Sequence, residues 1–88
     1  MPQFIQQYTQ PLTDENGVTY TAFVYGEPRA DGTWEGWVEF NPSDSTRPIL
    51  RTGRETTQPD KSALAYWASG LEPLYLEGAF ARARPDEV

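Results

Sequence analysis

Residues 18 to 26, VTYTAFVYG, alternate with period two, which sets Val18, Tyr20, Ala22 and Val24 on one face and Thr19, Thr21, Phe23 and Tyr25 on the other. Residues 33 to 40, TWEGWVEF, alternate in the same way, with Trp34, Gly36, Val38 and Phe40 on one face and Thr33, Glu35, Trp37 and Glu39 on the other. Between them GEPRADG holds a proline, an aspartate and two glycines, which predicts a turn and an antiparallel return. Two adjacent strands, each apolar on one side, need a layer to cover that side, and this constrains the chain more than any other feature. Pairing Tyr25 with Thr33 would set Ala22 opposite Gly36 and leave a shallow depression on the inner face.

The following segments predict what covers it. NPSDSTRP reads as a loop, and ILRTGRET as a third strand, interrupted at Gly53 and kept to an edge by Pro48. Thr57 is placed as an N-cap with Asp60 three residues on, opening a helix through QPDKSALAYWAS that ends at Gly70. Ala63, Leu64, Trp67, Ala68 and Leu71 form its apolar stripe, and Trp67 is the candidate to fill the depression. EPLYLEGAFARA alternates again, predicting a last strand with Leu74, Leu76, Gly78 and Phe80 inward and Tyr75, Glu77 and Ala79 outward. The expected fold is α+β, a three- to four-stranded antiparallel sheet with one helix on one face, in the order β-β-β-α-β. Residues 1 to 88 form one domain with loose ends at 1 to 12 and 82 to 88.

Eighty-eight residues support one thin core, and twelve aromatic side chains must supply much of its buried area. The chain has neither cysteine nor histidine, which removes disulfides, thiolate chemistry, the usual general base and the commonest metal ligands. No cofactor and no metal is expected. With no stretch of about 20 apolar residues and no basic-then-apolar start, a cytoplasmic location without a membrane partner is the default. The net charge is −6, concentrated in residues 1 to 46, where seven acids stand against Arg29, while Arg47, Arg51 and Arg54 make residues 47 to 56 basic. Such a surface repels nucleic acid and favours a basic protein partner.

Three groups of side chains invite a functional reading. Glu35 and Glu39 share a strand face, but their Cα atoms lie roughly 13 to 14 Å apart along an extended chain, beyond the ~5 to 9.5 Å carboxyl separations of glycosidases. Asp14, Glu15, Asn16 and Gly17 open like an oxygen-rich cation loop without its later carboxylates, and read better as a turn. Arg51, Gly53 and Arg54 offer an anion clasp, or arginines that pair across the sheet with Glu35 and Glu39.

The strongest feature is the outer face. Phe23, Tyr25, Trp37 and Tyr75 all take the parity opposite to the core, where an antiparallel sheet usually carries polar groups. Either Phe4, Ile5 and Tyr8 of the opening segment cover these rings, or the face binds a protein partner or a second copy, or it stacks sugars or single strands. The residues favoured for partner contact are Phe23, Tyr25, Glu35, Trp37, Glu39 and Tyr75. A small-ligand receptor or enzyme using Arg51, Arg54 and nearby carboxylates, formed only in a dimer, is the alternative.

The expected β-β-β-α-β order, the Gly-aromatic strand GWVEF followed by Pro42, and the TTQPD segment before an alanine-rich helix together resemble the core of HicB-type antitoxins, with Gly36, Trp37, Pro42, Thr57, Asp60, Ala63 and Leu64 carrying the likeness over residues 18 to about 80. The resemblance implies a small acidic protein that neutralises a basic RNA-cleaving toxin by direct contact. The turn reads NPSDSTRP where the family has Pro-Asp-Leu-Pro-Gly, and no operator-binding segment follows residue 80, so toxin binding without DNA binding is the expectation.

Overall fold

The computed structural model describes residues 1–85. Two long strands, β3 (Thr19–Pro28) and β4 (Trp34–Pro42), pair antiparallel at the centre. On one side β3 receives β1 (Gln3–Gln7) and the two-residue β2 (Leu12–Thr13). On the other, β4 receives β5 (Leu50–Arg51) and β6 (Thr56–Gln58), and β7 (Arg84–Pro85) closes onto β5. The fold is α+β, with seven strands in one open antiparallel sheet and two helices, α1 (Lys61–Ser69) and α2 (Pro73–Arg82). The sheet is therefore larger than expected, and the order differs.

The β3–β4 hairpin keeps the expected faces but moves the register. Tyr25 pairs with Trp37 rather than Thr33, and Gly26 rather than Ala22 lies opposite Gly36. The shift is four residues, an even number, so no side chain changes side. It arises because the turn is shorter than GEPRADG. Arg29 N–H donates to Thr33 O and Gly32 N–H to Arg29 O, and Gly32 takes a positive φ of 89° that ordinary residues avoid. Pro28 stays in the strand because the neighbouring Arg29–Thr33 pair carries the hydrogen bonds, so its own missing N–H would have pointed away from β4.

The inner face is Tyr20, Ala22, Val24 and Gly26 from β3 with Gly36, Val38 and Phe40 from β4. Leu64 of α1, not Trp67, seats on the glycine pair. A Cβ on Gly36 would lie 2.6 Å from a Leu64 methyl, and one on Gly26 would overlap the other Leu64 methyl. Burying Leu64 in this saddle contributes roughly 1.5–3 kcal/mol. The Tyr20–Phe40 end is covered instead by Phe80 of α2, whose ring centroid lies 5.1 Å from Tyr20 and 5.0 Å from Phe40. Trp67 is half-buried at the margin, edge-on to Tyr75 at 6.0 Å. Trp34, expected in the core, is half-buried at the hairpin end.

The helix boundaries also moved. Asp60, not Thr57, is the N-cap of α1, its Oδ1 accepting from Ala63 N–H at 2.8 Å. Thr57 lies in β6, paired with Glu35. Gly70 does end α1, with an ordinary φ of −98°. The segment expected as a last strand is α2, begun by Pro73 in its first turn, with Leu76 and Ala79 buried at helical spacing and Ala83 buried just beyond its end. Leu74, placed inward by the strand reading, is exposed.

Both ends contribute regular structure to the sheet, β1 and β2 at the start and β7 at Arg84–Pro85. β1 pairs with β3, and Tyr8 Oη donates to Ala68 O at 2.6 Å, joining the opening segment to α1. The expected loose end at 82 to 88 falls partly outside the described residues; within them Arg82 closes α2 and Arg84–Pro85 is β7. Asp14 forms the expected turn, its Oδ1 accepting from the N–H groups of Asn16 and Val18 at 2.9 Å each. Among the described residues no helix is long and apolar enough to cross a membrane.

Candidate docking face

Both helices lie on the inner side of the sheet, so the opposite face carries whatever β1, β3, β4, β5 and β6 present there. Strand register arranges these side chains in rows. Gln7, Phe23, Glu39 and Arg51 form one row, Phe4, Tyr25 and Trp37 the next, and Glu27, Glu35 and Thr57 the third. Three rings meet near the β1 side: Phe4 lies 6.3 Å from Phe23 and 6.2 Å from Tyr25, edge-on to both, and Phe23 lies 6.3 Å from Tyr25. Such pairs favour one another beyond the area they bury, by about 0.5–1.5 kcal/mol each.

The opening segment does not cover this face as a lid. A bulge between Phe4 and Gln6 splits its side chains between the two faces. Phe4 joins the outer rings and remains 54% exposed, while Ile5 and Tyr8 pack against the core. Phe4 thus extends the aromatic surface instead of closing it.

Trp37 has the outer parity expected of it but is only 1% exposed. Its indole N–H donates to Glu39 Oε2 at 3.0 Å, and the Arg51 guanidinium lies 4.1 Å from the ring centroid. It is the floor of the face rather than a free contact residue. Beside it the edge strand breaks. Arg51 pairs with Glu39 and Thr56 with Gly36, so Thr52 to Glu55 form a four-residue excursion opposite Trp37 and Val38. The buried Thr52 anchors that excursion: its N–H donates to Val38 O at 3.0 Å, and its Oγ1 accepts from Val38 N–H at 3.1 Å.

Arg51 sits directly across from Glu39, the cross-strand neighbour expected of it, yet its guanidinium stacks on Trp37. Arg54 is exposed on the excursion and makes no hydrogen bond with any described residue. Arg51 thus stacks on an indole, while Arg54 stands apart from it on the excursion. A surface hollow of about 450 Å³ is lined by Gly70, Leu71, Glu72, Leu74 and Tyr75, and another of about 330 Å³ by Asn41, Pro42, Ser45, Arg47 and Ile49. Neither contains Arg51, Arg54, Glu35 or Glu39, so the ligand-site alternative gains no support from them.

Tyr75 is separated from the other proposed contact residues. It lies on α2, across the sheet from Phe23 and Tyr25, and its hydroxyl donates to Glu55, which also receives Arg82 Nη2 at 2.6 Å. That cluster ties α2 to the excursion. The carboxylates remain on the face: Glu27 and Glu35 are direct cross-strand neighbours, and Glu39 stands beside Phe23. Like charges so placed disfavour each other, and the Met1 ammonium, 3.8 Å from Glu27 Oε2, offsets part of that repulsion. Arg29 is nearby, its Nη1 donating to Thr57 Oγ1 at 3.4 Å.

The assembled face is Phe4, Phe23 and Tyr25 over a Trp37 floor, bordered by Glu27, Glu35 and Glu39. Phe4 meets the rings that the opening segment was expected to cover, while Ile5 and Tyr8 go to the core, because nothing in QFIQQ alone says which of its side chains will join which face of a neighbouring strand. No protein-family model, curated protein or solved structure matches the chain.

Proposed function

We propose that the chain is a noncatalytic protein-binding domain that docks a basic partner on this outer face. The observation that carries the reading is the Phe4–Phe23–Tyr25 ring cluster on a sheet face that neither helix covers. Aromatic rings supply desolvated area at low entropic cost, and flanking charges fix orientation and speed encounter. Glu27, Glu35 and Glu39 set the sign of that complementarity, as does the net charge of −6. The likeness of Gly36, Trp37, Pro42 and the Thr57–Leu64 segment to HicB-type antitoxins, which is one of residue pattern and not of element order, points the same way, toward inhibition of a basic protein by contact.

The test uses purified chain immobilised in three forms: wild type, the double variant Phe23→Ser/Tyr25→Ser, and Leu74→Ser as a control on the helical side. Circular dichroism establishes that each is folded. A basic protein retained from cell extract by wild type and by Leu74→Ser, lost with the double variant, and rebinding the wild type when purified, supports the reading. Retention that ignores the double variant, or that depends on Leu74, overturns it.

A further inference from the structure

We propose that the chain also pairs with a second copy of itself along the free edge of β1, continuing the sheet across a two-fold axis. β1 is hydrogen-bonded on one side only, to β3, and among the described residues no strand lies beyond it. Tyr8 N–H points inward, to Ala22 O at 3.0 Å. Strand alternation therefore turns the N–H and C=O of Gln7 outward, as a donor and acceptor ready for another strand.

Charge selects the occupant. The chain carries 13 acids against 7 bases, yet from Pro2 to Thr13 no side chain is charged. Exposed edges are commonly guarded by lysine or by inward-pointing charge; here Lys61 Nζ on Gln3 Oε1 at 2.8 Å and the Met1 ammonium, 3.8 Å from Glu27 Oε2, stand at the Gln3 end of β1, while the side chains around Gln6 and Gln7 are uncharged. A second copy of an acidic chain is repelled over most of its surface and can approach along an uncharged strip. A strand from a basic partner would instead be matched by acids on the edge, which β1 lacks. Phe4 adds apolar area at the same border, since it is 54% exposed and belongs to the outer rings.

The geometry sets the form and strength of the pair. A two-fold axis normal to the sheet keeps both outer faces on one side, so the two ring clusters become neighbours in one surface. The bulge between Phe4 and Gln6 limits regular pairing to the stretch around Gln6 and Gln7, which makes the interface small and the association weak. The inference concerns the strand edge and stands apart from what the face binds.

Light scattering over a wide concentration range, reaching the millimolar, tests it with wild type, Gln7→Lys, Gln7→Pro and Leu74→Ser. The wild-type mass should climb from 10.0 kDa toward twice that value, and Leu74→Ser should follow it. Both Gln7 variants should stay at the monomer mass with unchanged circular dichroism, because one adds facing charges and the other removes the outward N–H without touching the β3 ladder. Amide exchange at Gln7 in the unmodified chain should slow as concentration rises, a readout that needs no variant. A monomeric wild type at every concentration overturns edge pairing and leaves the partner-binding reading of the face standing. Gln7 variants that associate like wild type, or loss of association in Leu74→Ser, also overturn it.

Discussion

At the scale of single residues, Trp37 decides how the outer face is understood. Its parity suggests a contact residue that can be removed at little cost, but its burial and its bonds to Glu39 and Arg51 make it structural. Trp37→Ala should lower unfolding free energy by about 3–5 kcal/mol, the range for deleting a buried tryptophan, whereas Arg51→Ala should cost about 0.5–2 kcal/mol, the loss of a half-buried cation–π contact. Urea denaturation of both variants checks the difference, and a Trp37→Ala loss as small as that of Arg51→Ala would return the indole to the contact set. Gly26 and Gly36 are equally exacting, because Leu64 occupies the space a side chain would need. Gly36→Ala should cost about 1–3 kcal/mol through overpacking, and the paired change Leu64→Ala should partly relieve it, a coupling a double-mutant cycle would read. Two tyrosines give the fold a basic limit. Burial raises the Tyr8 phenol above its ordinary value of 10, and burial together with the hydrogen bond to Glu55 pushes Tyr75 up to about 12. Because the folded state holds these protons more tightly than the unfolded state, their stabilisation is complete below pH 10 and is lost as pH rises through the folded values. Urea midpoints measured from pH 8 upward should fall past pH 10, and less steeply in Tyr75→Phe; an identical slope in that variant would remove Tyr75 from the account.

At the scale of elements, the central hairpin and the first helix were legible in the sequence, and the reasons are local. Period-two alternation in β3 and β4 needs only the chain's own pattern, and an even register shift preserves faces even when the turn is placed wrongly. The stripe of Leu64 and Ala68 is likewise intrinsic, and Asp60 is a local cap. Asp60→Ala should lower stability by about 0.5–2 kcal/mol, measurable as a drop in Tm, while Thr57→Ala should do far less, because Thr57 is an exposed strand residue. What could not be read was anything set by distant partners. In PLYLEGAFARA, residues 73 to 83, the positions 74, 76, 78 and 80 satisfy a strand pattern, while 76, 79, 80 and 83 satisfy a helical one, and Pro73 favours the second by fitting a first turn. The inner face of the sheet then decides, since Phe80 has Tyr20 and Phe40 to meet. β1 was missed as a strand for the same reason: QFIQQ has no strong pattern of its own, and only pairing with β3 defines it. The outer face was therefore half legible. Phe23, Tyr25, Glu35 and Glu39 stand where alternation placed them, Tyr75 departed with its helix, and Phe4 arrived from a strand the pattern did not announce.

At the scale of the whole molecule, the uneven charge separates the two associations proposed here by the sign of one response. A basic partner drawn to Glu27, Glu35 and Glu39 is held partly by long-range attraction, and salt shortens the reach of that attraction from about 10 Å at 0.1 M to about 3 Å at 1 M. Binding at the outer face should therefore weaken as salt rises, mainly through a slower on-rate. Two copies of a chain with net charge −6 repel each other, and their contact through β1 rests on backbone hydrogen bonds and on Phe4, neither of which salt removes. Self-association should strengthen over the same range. Sedimentation of the pure chain and surface binding of a captured basic partner, each run from low to high sodium chloride, should give slopes of opposite sign. If self-association instead weakens with salt, the copies meet through opposite charges, such as the Arg47–Arg54 segment of one against the acids of the other, and the uncharged edge of β1 is not the contact. If partner binding is indifferent to salt, the rings act without the carboxylates, and a basic partner loses its physical basis.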